Sequence, residues 1–161
     1  MDEQSRENRI YELKLKSKRK NICLSINNTI SDVDTNSFIS INDTIEMSNK
    51  IYEKIDSLNN QVKIGKEAEV NISAILDLKK DYQSYNSEYG VLFHEDDREC
   101  GALMLKVSDF FDNISMIFDL TAFSAGRRDL IFVDKDFKFG ICIERFEYYN
   151  CVSNWREIDF R

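Results

Sequence analysis

The clearest regular spacing of hydrophobic positions lies between residues 43 and 65. Apolar residues recur there at intervals of four, four, three and four, with polar side chains between them, and this spacing predicts an amphipathic helix. Asp43 and Glu46 form a D-x-x-E pair typical of a helix start, and Gly65 stands where a left-handed residue often ends a helix. The apolar positions are Met47, Ile51, Ile55, Leu58 and Val62.

The segments on either side of this helix are less regular. Lys66–Lys80 has apolar residues on two helical faces and predicts a second, well-buried helix, with a strand at Glu69–Ser73 as the competing interpretation. Residues 10–15 fit either a strand or a short helix. A short strand is predicted at Ile22–Ile26, and a polar loop follows it to Asn42.

From Tyr89 onward the pattern becomes typical of β-structure. Strands are predicted at Tyr89–His94, Ala102–Val107 and Ser115–Leu120. Between the last two, Ser108 is a suitable N-cap for a short helix over Asp109–Ile114.

The strongest strand signal is Asp129–Asp134 followed by Phe137–Glu144. In the second arm Phe137, Phe139, Ile141 and Ile143 alternate with other residues and share one face, so an antiparallel hairpin is predicted. Glu147–Val152 predicts a third strand of the same meander, and Trp155 is the expected C-terminal anchor.

The order of these elements predicts the fold class. Helices come first and strands last, with no β-α-β repeat, which favours an α+β fold whose N-terminal helices pack on a mainly antiparallel β-sheet built largely from the C-terminal half. The 161 residues include 42% hydrophobic residues and show no linker, so a single domain over 1–161 is expected.

Charge is distributed unevenly along the chain. The net charge is −7, but residues 1–20 carry seven Lys/Arg against four acids, so the remaining residues are more acidic than the whole. An acidic body repels phosphate backbones, so we expect a basic protein partner and no direct nucleic-acid binding. The basic run Lys18–Lys20 is interpreted as a solvated edge, with a nucleic-acid contact as the alternative.

The start of the chain is polar where a secretory signal would be apolar, and no apolar run reaches the ~20 residues that span a bilayer. A cytoplasmic protein with no membrane partner is therefore expected.

Candidate catalytic residues are few. His94 is the only histidine, and no sequence flanking Cys23, Cys100, Cys142 or Cys151 is typical of a nucleophile or a zinc site. No glycine-rich phosphate loop is present in the sequence. We therefore expect a non-enzyme with no cofactor and no metal, and an enzyme centred on His94 and a cysteine remains the minor alternative.

Ser124–Arg128 is the one segment with the composition of an anion site. Its glycine offers backbone amides, and its two arginines offer guanidinium groups. The simpler interpretation is a turn in which Arg127 and Arg128 neutralise nearby acids.

Acidic residues concentrate between Glu88 and Asp119, with only Arg98 and Lys106 among them. Such a segment favours capture of a basic partner, while the alternative is a solvated loop and a helix whose first-turn acid complements its dipole. The predicted partner-binding residues are Glu95, Asp96, Asp97, Glu99, Asp109 and Asp112.

The run Arg128–Glu144, followed by Tyr148 and Tyr149, resembles the C-terminal hairpin of bacterial immunity proteins that neutralise polymorphic or contact-dependent growth-inhibition toxins. The resemblance covers the last third of the chain. It implies a cytoplasmic, non-enzymatic inhibitor of a cognate toxin, for which a basic, nuclease-type domain suits the acidic surface. The alternative is a phage- or plasmid-borne acidic inhibitor, a nucleic-acid mimic that acts on a host defence complex. The oligomeric state is left open.

Overall fold

The computed structural model of the protein describes residues 2–157. Six strands form one sheet in the order β1-β6-β5-β4-β2-β3, and every neighbouring pair is antiparallel. The predicted α+β class, with N-terminal helices on a sheet from the C-terminal half, is confirmed.

The helices are α1 (Glu3–Ile26), α2 (Ile41–Asp56), α3 (Ala68–Leu78), α4 (Asp97–Cys100), α5 (Val107–Asp112) and α6 (Ile114–Leu120), with a 3₁₀ helix at Lys79–Tyr85. The strands are β1 (Val62–Ile64), β2 (Tyr89–Leu92), β3 (Leu103–Lys106), β4 (Leu130–Val133), β5 (Phe139–Arg145) and β6 (Asn150–Arg156).

Helices cover both faces of this sheet, and each face has its own hydrophobic core. Strand β4 shows the arrangement best, because Leu130 and Phe132 pack in one core while Ile131 and Val133 pack in the other. A central strand that is buried on both faces needs a continuous apolar run and not an alternating one. The smaller core contains α2, and the larger contains α3, α5, α6, the 3₁₀ helix and the last turns of α1.

The predicted hairpin is confirmed as β4 and β5, which pair from Leu130 with Ile143 to Val133 with Gly140. Phe137 differs from the prediction, because it lies in the turn and packs in the α2-side core, opposite the other alternating residues of its arm. The third strand is present as β6, although it begins later than predicted. Trp155 is the expected anchor: it is buried, and its indole N–H donates to the Phe137 carbonyl at 2.8 Å.

The predicted amphipathic helix is confirmed as α2, in which Met47, Ile51 and Ile55 are buried. Its N-cap is Ser40 and not Asp43, because the Ser40 hydroxyl accepts the Asp43 N–H at 3.0 Å. The helix also ends at residue 56, well before the predicted stop at 65. The apolar spacing continues by coincidence into the edge strand β1, where Val62 is exposed.

The second predicted helix is present as α3, and the competing strand is wrong. The expected burial on two faces holds only in part. Asn71 and Ile75 are buried, and Ile72, Ala74 and Leu78 are partly buried against the larger core, but Val70 is exposed.

Two short predicted strands are helical. Residues 22–26 form the last turns of α1, where Ile22, Cys23 and Ile26 share one face and pack in the larger core. Residues 115–120 belong to α6 for the same reason, since Ile117 and Phe118 are buried on one face. The helix predicted at Asp109–Ile114 is present as α5, but Ser108 is not its N-cap, because α5 begins at Val107, and it ends at Asp112. Both strand errors arose in short apolar runs, whose periodicity does not separate a strand from a buried helix.

Candidate functional site

The connection between β2 and β3 carries most of the predicted partner-binding residues. It runs from residue 93 to residue 102 and contains the single-turn helix α4. Glu95, Asp96 and Glu99 are exposed on it, whereas Asp97 is buried. The connection packs against α1 and α2.

Cations lie against four of the six predicted residues. The pairs are Glu95 with Arg127 at 2.8 Å, Asp97 with Arg128 at 3.0 Å, Asp112 with Lys79 at 2.8 Å, and Glu99 with Lys18. The pairs other than Asp97–Arg128 are solvent-exposed, and such pairs contribute only about 0–1 kcal/mol to stability. Their main consequence is electrostatic, because each reduces the negative charge that the surface offers to a partner.

Two of the six predicted residues belong to a separate acidic group. Asp109 and Asp112 lie on α5, which follows the C-terminal end of β3, whereas Glu95–Glu99 precede its N-terminal end. A strand of this length separates its ends by roughly 10 Å or more. Burial raises the pKa of Asp109, with the nearby Asp32 carboxylate as the next cause. The six residues therefore form two groups and not one continuous face.

Asp97 was predicted to bind a partner, but its side chain is buried. Its side chain is 2% exposed, and its Oδ2 accepts both an Arg128 N–H at 3.0 Å and the His94 backbone N–H at 3.1 Å. Arg128 also donates to the His94 carbonyl. Asp97 thus holds the β2–β3 connection against the segment that enters β4, and its carboxylate is not available to a partner.

A cavity lies between α1 and the β2–β3 connection, with a volume of about 360 Å³. Glu95 and Asp96 line it from one side, Asp119 of α6 from another, and Lys18 of α1 from a third. Within residues 2–157 neither Asp96 nor Asp119 makes an ion pair. With the partners Arg127 and Glu99 included, four carboxylates and two cations surround the cavity. The arrangement suits a cationic group of a binding partner.

Sequence reasoning placed Asp119 in the acidic stretch but not at this site, because it assigned the residue to a strand. In α6 the carboxylate faces the Glu95–Asp96 cavity and accepts the Ser124 hydroxyl at 2.6 Å. Lys18 belongs to a helix far away in the chain, and nothing in the sequence indicated that it would meet Glu99.

His94 and Cys100 do meet in the structure, but not as a nucleophile and base. The His94 Nε2 atom lies 2.8 Å from the Gly101 carbonyl oxygen, so this nitrogen carries the proton and donates it there. Cys100 Sγ lies 4.0 Å from the same nitrogen and donates instead to the Asp96 carbonyl. Burial raises the pKa of the Cys100 thiol to about 11, which opposes formation of a thiolate.

The His94 ring is held in its neutral form. Its Nδ1 atom accepts the Asp96 backbone N–H at 3.2 Å, so a second proton on this atom would face a donor. Burial also lowers the pKa of His94, an effect that outweighs the opposing hydrogen bond to Gly101 and the nearby acids.

This lowered pKa predicts acid sensitivity. The unfolded chain binds a proton at His94 near pH 6.5 and the folded chain does not, so the free energy of unfolding should fall as pH drops below about 6.5. The slope for one proton is about 1.4 kcal/mol per pH unit. Urea denaturation at pH 7.5, 6.5 and 5.5 measures it. A His94→Gln variant should lose this component of the slope, and an identical slope in both proteins would contradict the assignment.

Other candidate chemistry is limited in the part of the chain that the structure describes. Cys23, Cys100, Cys142 and Cys151 are all buried and free, and burial raises the pKa of each thiol. No group of three or more potential metal ligands occurs among residues 2–157. Over the same residues, no helix has both the length and the apolar character needed to cross a membrane.

The interpretation of Ser124–Arg128 as a turn whose arginines neutralise nearby acids is confirmed in part. Arg127 pairs with Glu95, and Arg128 pairs with Asp97. The structure adds neighbours that the sequence could not show. Lys66 and Arg145 lie beside the two arginines in a larger cavity.

The fold defines an α+β protein with a six-stranded antiparallel sheet. Its sequence matches the family model described as "YxiF protein" over residues 22–155, and the chain therefore belongs to the YxiF protein family. The match includes the whole sheet except its last residue, and it includes both acidic groups. No curated protein and no solved structure matches the chain.

Proposed function

We propose that this protein is a cytoplasmic immunity protein that binds and neutralises a basic toxin domain. The observation that carries the proposal is the acidic cavity beside α1, where Asp96 and Asp119 have no cationic partner among the described residues. An arginine or lysine of a partner that entered this cavity would supply the missing positive charge.

The revised site is narrower than the predicted acidic face, but it is better suited to specific recognition. A localised group of unpaired carboxylates favours a partner that has a cation at the matching position. Glu95 and Lys18 at the rim are already held by ion pairs with Arg127 and Glu99, so the cavity is partly ordered before binding. Ordering before association lowers its entropic cost.

The state of His94 also supports binding over catalysis. The only histidine of the chain lines this cavity, but it is neutral, buried and bonded through both ring nitrogens. A general base must present a free nitrogen to the group from which it takes a proton. His94 stabilises the shape of the β2–β3 connection instead.

The test is reversal of the two unpaired carboxylates. We expect Asp96→Lys combined with Asp119→Lys to weaken binding to the toxin domain encoded by the adjacent upstream gene about 100-fold at low salt, by roughly 2.7 kcal/mol. The difference should shrink in 0.5 M salt because screening weakens charge recognition. Isothermal titration calorimetry measures the affinities, and rescue of growth after co-expression measures neutralisation.

A matched control is Asp77→Lys combined with Asp136→Lys, which makes the same charge change at exposed positions away from the cavity. We expect this control to retain nearly all of the affinity. Equal losses in the two variants would show that net charge matters and the cavity does not. Full binding by the cavity variant, or the absence of an adjacent toxin gene, would overturn the proposal.

A further inference from the structure

A second cavity lies at the end of the sheet where β4 begins and β5 ends. Its volume is about 540 Å³, within the range of pockets that hold small molecules. Phe93 and Ile131 contribute an apolar floor, and both are almost fully buried. The rim is cationic, with Lys66, Arg127, Arg128 and Arg145.

Two of these cations are held in place without being neutralised. Lys66 Nζ donates to the carbonyls of Phe146 and Glu147, and Arg145 donates to the Phe123 carbonyl at 2.8 Å. Neither makes an ion pair with any carboxylate of residues 2–157. Carbonyl oxygens orient a cation but carry no formal charge, so both side chains keep their full positive charge and further N–H groups for a ligand.

The other two cations around this cavity are already paired with carboxylates. Arg128 is bound to Asp97, and Arg127 pairs with Glu95 at the exposed rim. Asp129 is the carboxylate that lines the cavity, and both of its oxygens accept hydrogen bonds, one from the Tyr52 hydroxyl at 2.7 Å and one from the Arg145 backbone N–H at 2.8 Å. Both donors are neutral, so Asp129 keeps its negative charge, and Lys66 and Arg145 together leave an excess of one positive charge at the cavity.

The backbone leaves room for the Arg145 guanidinium. Gly126 has a φ of +75°, and a Cβ atom there would lie 3.2 Å from an Arg145 side-chain nitrogen. The Arg145 guanidinium also lies over the Phe123 ring, at 4.9 Å from its centre, which limits its movement. This cation is therefore positioned before any ligand arrives.

We propose that this cavity binds a small organic anion, with a phosphate or carboxylate head between Lys66 and Arg145 and an apolar or aromatic body over Phe93 and Ile131. Planar guanidinium groups bind such oxyanions through paired hydrogen bonds. The proposal does not rest on toxin binding, because the two cavities have no lining residue in common; their one direct contact is the ion pair between Arg127 of this cavity and Glu95 of the acidic one.

Three probes test the proposal by NMR titration of the full chain. Phenyl phosphate and benzoate share a body but differ in their head groups, and inorganic phosphate has the head alone. We expect saturable binding of phenyl phosphate or benzoate, about threefold tighter than that of inorganic phosphate, because Phe93 and Ile131 expose only a small apolar surface to the body. If phenyl phosphate binds more tightly than benzoate, the site prefers a phosphate head; the reverse order shows a preference for a carboxylate head. Binding of inorganic phosphate as tight as both, or no saturable binding at all, would overturn the proposal.

The variants locate the site. Lys66→Gln should weaken the better aromatic probe about tenfold, because it removes a charge-assisted hydrogen bond. Arg127→Gln, at an exposed position, should weaken it less, and Lys135→Gln, outside the cavity, should leave it unchanged. Equal affinities for the wild-type, Lys66→Gln and Arg127→Gln proteins would show that the probe binds elsewhere.

Discussion

Replacing Gly101 with alanine is expected to lower the free energy of unfolding by about 4 kcal/mol. Gly101 has φ +88° and ψ 154°, a conformation that is open almost only to glycine. A Cβ atom at this position would also lie 1.9 Å from the Ile39 carbonyl oxygen, so the backbone itself would have to move. Urea denaturation followed by circular dichroism measures the loss.

The matched control for this prediction is Gly65→Ala. Gly65 has no positive φ, and the atoms that an added Cβ would meet there belong to the flexible Glu67 side chain. We expect this change to alter stability by less than about 1 kcal/mol. If Gly101→Ala were no more destabilising than the control, the close packing of the β2–β3 connection against residue 39 would not matter to the fold.

Removing the Asp97 carboxylate is expected to cost about 3 kcal/mol. Asp97→Ala takes the acceptor from the His94 N–H and the charge partner from Arg128, and breaking a buried pair on one side typically costs 3–5 kcal/mol. We expect a loss at the lower end of this range because the Arg128 side chain is 32% exposed. Water can therefore solvate part of the guanidinium charge once Asp97 is removed. Thermal and urea unfolding measure the change.

The neighbouring Glu95→Ala is the control, since it also removes a carboxylate that is paired with an arginine. That pair is exposed, and its loss should cost at most about 1 kcal/mol. The double variant Asp97→Ala/Arg128→Ala should cost less than the sum of its single changes, because no unpaired guanidinium remains. Equal costs for Asp97→Ala and Glu95→Ala would show that the buried contact contributes nothing.

These two predictions share a structural cause, because the β2–β3 connection joins several distant elements. Arg19 of α1 donates to the Cys100 carbonyl at 2.8 Å, and the Thr44 hydroxyl of α2 accepts the Ala102 N–H at 2.9 Å. Arg128 ties the connection to the segment before β4. The residues that the sequence indicated as a binding surface are therefore also a junction of the fold.

The sequence indicated only part of the candidate site, because the β2–β3 connection contacts elements that are distant in the chain. The acidic composition of the Glu88–Asp119 segment was visible in the sequence, and Glu95 and Asp96 do line a cavity. Whether a carboxylate stays free depends on cations that approach from other elements. Lys18 and Arg128 lie in distant parts of the chain, and no local pattern indicates which acid each will meet.

The sequence by itself determined the elements whose signals are local. The β4–β5 hairpin and helix α2 follow from their apolar spacing, and the absence of a β-α-β repeat indicated the antiparallel sheet. Tertiary packing alone decided the short apolar runs, because residues 22–26 and 115–120 suit either a strand or a helix until a core selects one. It also decided the electrostatics, since charges interact across space whatever their distance along the chain. Burial of Asp97 and exposure of Asp96, adjacent in sequence, show that distinction most directly.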